Sequence, residues 1–255
     1  MQQASSQEQI WLIGIDDTDN LDTRGTGYRA RCLLEALDEA TLAEPIGVTR
    51  HQLLVDPRIP YTSHNSSACL QVRTSRAMAE IFAFCRAFLL DIAAPGSDVG
   101  LCVASPAQGA ALAGFGQRAK RDVLNQDAAH AAAAATGVRY EGLTGTRDGI
   151  IGSMAAVGLY ADGNDGRYLW KRGLREMTGT VARVDGLAAT TGIDDIRRDG
   201  GESILDQPAA RIALGQWPRP VRIDGLSVLL VTEGTAHEYA DYECIDKQRL
   251  KAFRP

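Results

Sequence analysis

The sequence predicts an α/β protein of the α+β sandwich type, with split-βαβ units and helices packed on mixed sheets. Three observations predict it: two successive strand–helix–strand patterns in the first half, an alanine-rich helix closed by a glycine, and a strand-rich last third. Residues 10–15 form an apolar run of strand type, 26–40 place Leu33, Leu34 and Leu37 on one helical face, and 46–55 form a second strand. The pattern then repeats. Ala68 to Arg73 is a strand, Arg76 to Leu90 a helix with Met78, Ile81, Phe82, Cys85 and Leu89 inward, and Val99 to Ala104 another strand. Residues 127–136 are rich in alanine, the best helix former, and stop at Gly137, which suits a left-handed cap. Beyond them, Thr180 to Val184, Ser203 to Leu205 and Ser227 to Thr232 are expected strands, with a hairpin turn at Asp199-Gly200-Gly201-Glu202. The organisation expected is a disordered segment 1–9, an α/β region 10–165 and a C-terminal α+β region 166–255 completing the fold.

Composition narrows the function classes. With 255 residues, 45% of them hydrophobic, the chain can bury a sizeable core, and its net charge of −5 argues against a surface generally coated by nucleic acid. The five cysteines show no CxxC spacing, so neither a zinc ribbon nor a disulfide framework is signalled and buried reduced thiols are expected. Met1 to Gln9 is polar and no apolar run reaches membrane-spanning length, so the expected compartment is the cytoplasm, with no membrane partner.

The chemistry concentrates at residues 10–28. A buried-strand run ends abruptly in Asp16, Asp17 and Asp19, followed by Gly25-Thr26-Gly27 leading into a helix. Carboxylate oxygens suit Mg²⁺, which bridges one or two acidic side chains to a substrate phosphate, and a helix start favours the phosphate itself. The alternative is that Asp17 and Asp19 are turn or N-cap residues. A second glycine-rich helix entry spans 142–158. There Gly149 and Gly152 would let a backbone or an anion approach the first turn, Arg147 can pair with a phosphate, and Asp148 can cap the helix or face a metal. Close helix packing explains the same small residues. The four histidines form no triad pattern and there is no Gly-x-Ser-x-Gly elbow; His64, beside Asn65 and Ser66, can act as an acid/base or simply bond within a polar turn.

The Gly-Ile-Asp-Asp-Thr-Asp start at 14–19, the Asp-Pro-Arg-Ile-Pro-Tyr segment at 56–61 and the Gly-Ile-Ile-Gly-Ser-Met-Ala-Ala-Val-Gly helix at 149–158 resemble the archaeal tRNA-isoleucine agmatinylcytidine synthetase family over roughly residues 10–160. In that family an ATP-using kinase-like domain activates a cytosine carbonyl by phosphorylation and agmatine displaces the phosphate; a ferredoxin-like domain adjoins it, and an OB-fold and zinc ribbon grip tRNA. The resemblance implies ATP and Mg²⁺ as cofactors, with Asp16, Asp17 and Asp19 as metal and catalytic residues. Thr26 stands where the family has a phosphorylatable threonine. Read from the residues themselves, Thr18, Arg24, Gly25, Gly27, Asn65, Ser66, Arg147, Asp148, Gly149 and Gly152 are the expected cofactor contacts, and His64 joins the catalytic set.

Departures from the family point to altered substrate contacts. Its Lys-Thr-Arg-Gly-Asn is Thr62-Ser63-His64-Asn65-Ser66 here, without either cation, and its Gly-Asn-Gly-Arg-Gly is Gly145-Thr146-Arg147-Asp148-Gly149. Paired CxxC motifs are missing, so tRNA is not expected as a substrate of this chain alone. The expected function is a Mg²⁺-dependent ATP-using enzyme, phosphotransferase or ligase, acting on an unidentified small molecule, nucleobase or amine. A nucleotide-binding sensor without turnover, or a tRNA-modification component with a separate RNA-binding partner, are the alternatives. In the last third Asp194 and Asp195 are expected as exposed turn acids, Arg197 and Arg198 as cations at a strand edge, and Trp217-Pro218-Arg219-Pro220 as an extended connector.

Overall fold

The computed structural model describes residues 8–61, 64–233 and 237–252. The chain divides into two compact units, Met1–Asp162 and Gly163–Pro255. Most of the expected 1–9 segment and the Thr62-Ser63 pair lie outside the described residues, and Gln9 already opens the first strand.

In the first unit the elements run β1 (Gln9–Asp16), α1 (Thr26–Glu39), β2 (Glu44–Gln52), β3 (Ser66–Thr74), α2 (Met78–Ile92), β4 (Gly100–Ala104), α3 (Pro106–Ala111), α4 (Ala113–Ala119), α5 (Gln126–Thr136), β5 (Arg139–Gly142) and α6 (Gly149–Asp162). The strands lie in the order β5-β4-β1-β3-β2, every neighbouring pair antiparallel. α1 connects β1 to β2 across β3, and α2 connects β3 to β4 across β1, which is the split-βαβ arrangement expected from the alternation. Leu33, Leu34 and Leu37 of α1 and Ile81, Phe82, Cys85 and Leu89 of α2 are buried, as their helical spacing requires. α5 is capped by the Asn125 side chain and ends at Gly137 with φ 67°, the left-handed stop expected there.

α6 is of another kind. Ten of its residues, from Gly149 to Leu159, are buried, so it is apolar on nearly every side and lies inside the unit. Leu12, Cys69 and Cys102 of the sheet meet it on one side, and Leu112, Phe115 and Ala119 of the α3–α4 region on the other. Alternate residues of β1 point to opposite sheet faces, so Leu12, Gly14 and Asp16 face α6. A side chain at Gly14 would overlap the Ser153 carbonyl, and one at Gly100 the Gly149 carbonyl, so glycine is what brings the helix onto the sheet.

The second unit holds β6 (Arg167–Trp170), β7 (Val181–Arg183), α7 (Val184–Thr191), β8 (Asp195–Arg198), β9 (Arg211–Ala213), β10 (Val221–Ile223), β11 (Leu226–Glu233), β12 (Tyr242–Cys244) and α8 (Lys247–Ala252). β11 is its centre, antiparallel to β10 and β12 and parallel to β8 along Val228–Val231. Val184, Leu187, Ile196, Ile212, Leu229 and Val231 form its core.

Several expectations are corrected. β2 ends at Gln52, because the Leu53 and Leu54 N–H groups turn to the carbonyls of Asn65 and Ala119. Val184 opens α7 instead of ending a strand. Ser203 makes one bridge to Arg197 and no ladder: the Arg198 and Ile204 N–H groups donate to the Glu202 and Ile196 carbonyls around it, and the pairing goes no further. Asp195 is 7% exposed and accepts from Arg197 at 2.6 Å and Ser203 at 2.6 Å, so it is a structural buried acid and not a turn acid. All five cysteines are free thiols. No helix among the described residues is long and apolar enough to cross a membrane.

Gly14→Ala should lower stability by about 1–3 kcal/mol in a urea melt, the usual cost of overpacking a core. Gly114→Ala, in α4 with open space beside it, should be neutral or slightly stabilising. Equal effects would show that α6 does not depend on the close approach.

Candidate functional site

β1 ends at Asp16, and α6 begins beside it. Asp16 accepts a hydrogen bond from the Asp17 N–H. Its carboxylate fills the space left by the missing side chain at Gly152, where a Cβ would overlap Oδ2. Burial, then the neighbouring Asp17 and Asp19 charges, push its pKa up to about 8. Asp17 leaves the strand with φ 47°, a left-handed turn that aspartate tolerates. Its pKa is pushed up to about 6 by burial and by Asp98 and Asp19, against a hydrogen bond from the Asp98 N–H. Among the described residues neither Asp16 nor Asp17 is in an ion pair with a basic side chain.

Asp19 does different work. Its Oδ1 accepts from both the N–H and the hydroxyl of Thr26, each at 2.8 Å, so it closes the entry to α1 from outside the helix. Asp19 thus makes the bonds of a cap, whereas Asp17 sits in a left-handed turn and accepts from the Asp98 N–H. Buried Thr18 donates from its N–H and its hydroxyl to the Thr26 hydroxyl, at 3.3 and 3.1 Å. Thr26, 7% exposed, is thereby held in a closed network. Gly25, extended, gives α1 no side-chain cap of its own, so Asp19 takes the Thr26 N–H from outside the helix, and Gly27 follows in the first turn. Arg24 lies over the Tyr28 ring at 4.5 Å, on the exposed side of the same helix start.

The second glycine-rich entry is brought to the same place, but its glycines are already filled. A Cβ at Gly149 would overlap the Asp98 carbonyl, to which the Gly149 N–H donates at 3.0 Å. The next two N–H groups of α6 go to the carbonyls of Arg147 and Asp148. The expected cradle at Gly149 and Gly152 thus admits protein atoms. Arg147, at φ 70°, is exposed and packs its stem on Gly142. Asp148 accepts from Gln126 at 2.7 Å and adds to the field that raises the Asp17 pKa.

His64 is exposed, and its neighbours serve the β2–β3 loop. Asn65 donates to the Leu54 carbonyl at 2.6 Å, and Ser66 accepts from Arg50 at 3.0 Å. Antiparallel register puts Ser66 on the sheet face opposite Asp16.

Three residues escaped the sequence reading. Asp98, just before β4, accepts from the Thr146 N–H and links the Asp17 turn to the start of α6. Its signal was an acid two residues before a strand that pairs antiparallel with β1, visible only once the pairing is known. Extending the β1–β3 register by one residue sets Ser67 across from Asp16, and His51 pairs with Ser67, so all three side chains share the α6 face. His51 bonds Thr49 at 2.9 Å, whereas the buried Ser67 hydroxyl has no hydrogen-bond partner.

Among the described residues no three acidic, histidine or cysteine side chains converge to hold a metal ion by themselves. The donor set still fits Mg²⁺, which needs only one or two carboxylates when water and phosphate complete its shell. Asp16 and Asp17 would supply these, as adjacent carboxylates whose repulsion no basic side chain among the described residues relieves, while Asp19 is engaged with Thr26.

No protein-family model and no curated protein sequence matches the chain significantly. Solved structures do. Over 59% of this chain it is similar to a tRNA fluorescent labeling enzyme at 27% identity and TM-score 0.53, and to TiaS, a tRNA agmatidine synthetase, in its complex with tRNA and ATP at 26% identity and TM-score 0.53. A TiaS complex with tRNA, AMPCPP and agmatine is similar at 25% identity and TM-score 0.52. The match spans about a third, 36%, of each of those chains. The resemblance found in the sequence is thus present in the structure, as a TiaS-like portion with an α+β fold.

Raised carboxyl pKa values mean that the folded protein keeps protons the unfolded chain has released. The stability these two groups contribute is complete below their ordinary value of 3.8 and is lost as pH rises through about 6 and then about 8. In a chelator, melting temperature should fall across that window, and Asp16→Asn should flatten the decline. An unchanged slope in the variant would show that Asp16 ionises normally.

Proposed function

We propose that the chain is a Mg²⁺-dependent, ATP-binding enzyme that phosphorylates a small or nucleobase-like acceptor or couples an amine to it. The observation that carries this is the Asp16–Asp17 pair, two adjacent carboxylates with raised pKa values and no cationic partner, beside the start of α1. A divalent cation relieves their repulsion, and phosphates supply its remaining ligands. Bound there, Mg²⁺ would neutralise phosphate charge and polarise a phosphoryl oxygen.

The chain's own residues would do the positioning. Gly152 gives the Asp16 carboxylate its place, and the Asp98 N–H orients Asp17. Asp19 and Thr18 fix Thr26 at the head of α1. The glycine-flanked turn at Gly25 and Gly27, with Arg24 nearby, would bring an anionic phosphate to the head of α1 and its dipole, with a cation at Asp16 and Asp17 offsetting the Asp19 carboxylate held on Thr26. Phosphoryl transfer asks little covalent chemistry of a protein, so such positioning and electrostatics suffice.

Neighbours solved with ATP and with an ATP analogue plus agmatine support nucleotide and amine as ligand classes. Those neighbours also hold tRNA. For this chain alone we read the acceptor as small, because its net charge of −5 disfavours a large polyanion. The five free thiols accord with a reducing cytoplasmic setting.

Calorimetric titration should show ATP binding with Mg²⁺ and roughly tenfold or weaker affinity in a chelator. Absence of binding with both Mg²⁺ and Mn²⁺ would overturn the metal–nucleotide assignment. Asp17→Asn should weaken Mg²⁺–ATP by roughly tenfold or more with little change in melting temperature. Loss of stability with unchanged binding would make Asp17 structural. In filter binding at near-physiological salt, tRNA should bind the isolated chain weakly, and submicromolar affinity would return tRNA to the substrate position.

A further inference from the structure

The second unit contains a cavity of about 350 Å³ that the nucleotide site does not use. The segment from β6 onward forms one wall with Tyr168, Trp170, Lys171 and Arg175, and the connector forms the other with Trp217 and Arg219. Two of the chain's three tryptophans are here. The charged lining residues are all basic, with no carboxylate among the described lining residues.

Lys171 is the informative residue. It is 6% exposed, and its ammonium lies 5.5 Å from the Tyr168 ring centre. Among the described residues neither Lys171 nor Arg175 is in an ion pair. The acid whose charge acts on Lys171 is Asp194, and its carboxylate already accepts from the Ser227 N–H and hydroxyl, each at 2.7 Å. Burial lowers the Lys171 pKa in spite of Asp194. Lys171 thus shares its one acid with Ser227, and Arg175 is in no ion pair among the described residues, so an anion in the cavity would add counter-charge to both. Arg219 is set by its own bond to the Leu169 carbonyl at 2.6 Å and lies 5.0 Å over the Trp217 ring, so the aromatic wall is held in place.

We propose that this cavity binds a planar aromatic anion of mononucleotide size, with its ring against the tryptophan-lined wall and its phosphate or carboxylate at Lys171 and Arg175. The volume is at the lower end of small-molecule sites, enough for one nucleobase, sugar and phosphate. Cations beside aromatic rings recognise both parts of such a ligand, the charge by charge-assisted hydrogen bonds and the ring by stacking. The proposal is independent of the Mg²⁺–ATP assignment in the first unit.

The test is tryptophan fluorescence with AMP as probe, in chelator and on an Asp17→Asn background that disables the first-unit site. AMP should change the emission saturably, and adenosine and inorganic phosphate should each bind roughly tenfold more weakly, since each offers half of the recognition. Lys171→Gln and Arg175→Gln should each weaken AMP by roughly fivefold or more. Both variants on the otherwise wild-type chain should keep Mg²⁺–ATP binding. Arg175 is exposed, so its variant carries the test if the Lys171 variant fails to fold. No saturable AMP signal, or AMP affinity unchanged in Arg175→Gln, overturns the proposal. Loss of Mg²⁺–ATP binding in the wild-type chain would instead overturn the first-unit assignment and leave the AMP result standing.

Discussion

The first unit depends on how closely α6 lies against the sheet. An α-helix normally keeps its distance from a strand because side chains stand between their backbones. Here Gly14 and Gly100 on the strands, and Gly149 and Gly152 on the helix, remove them. The same device operates on the outer side, where Gly158 admits the Leu112 carbonyl and Gly116 admits the backbone of Leu159. A helix so enclosed cannot be amphipathic, which is why α6 is apolar nearly all round while α1 and α2 show one buried face each.

This packing has an electrostatic consequence. With the start of α6 pressed against the end of β1, the Asp16 carboxylate has only the space over Gly152 to occupy, and Asp17 is driven into a left-handed turn beside Asp98. Dispersal of these acids into water would lower their repulsion. The helix prevents it, so the unit holds a concentrated negative charge whose relief needs protons or a cation. Asp19 avoids that condition because Thr26 gives its carboxylate two donors.

The second unit shows the opposite polarity in its cavity, with basic groups set against aromatic rings and the acids engaged elsewhere. Asp195 is spent on Arg197 and Ser203, and Asp194 on Ser227. These side-chain bonds fix β8 against the start of β11, so Asp194 and Asp195 are structural, while Lys171, Arg175 and Arg219 line the cavity.

Much of this was legible in the chain. The β1–α1–β2 and β3–α2–β4 alternation, the alanine-rich α5 with its Gly137 stop, and the three aspartates at the end of β1 follow from periodicity, propensity and local residue chemistry, which act within a few residues. What the sequence could not say is which acid does what. Asp17 and Asp19 look alike in a row of letters, and only the fold turns one toward Asp98 and the other toward Thr26. Nor could it show that Gly149 and Gly152 make room for Asp98 and Asp16 instead of a ligand, or that Ser67 and His51 share a face with Asp16. Those facts belong to strand register and helix packing. They join residues dozens of positions apart, and no local preference of the chain encodes such neighbours; the antiparallel order β4-β1-β3-β2 decides them.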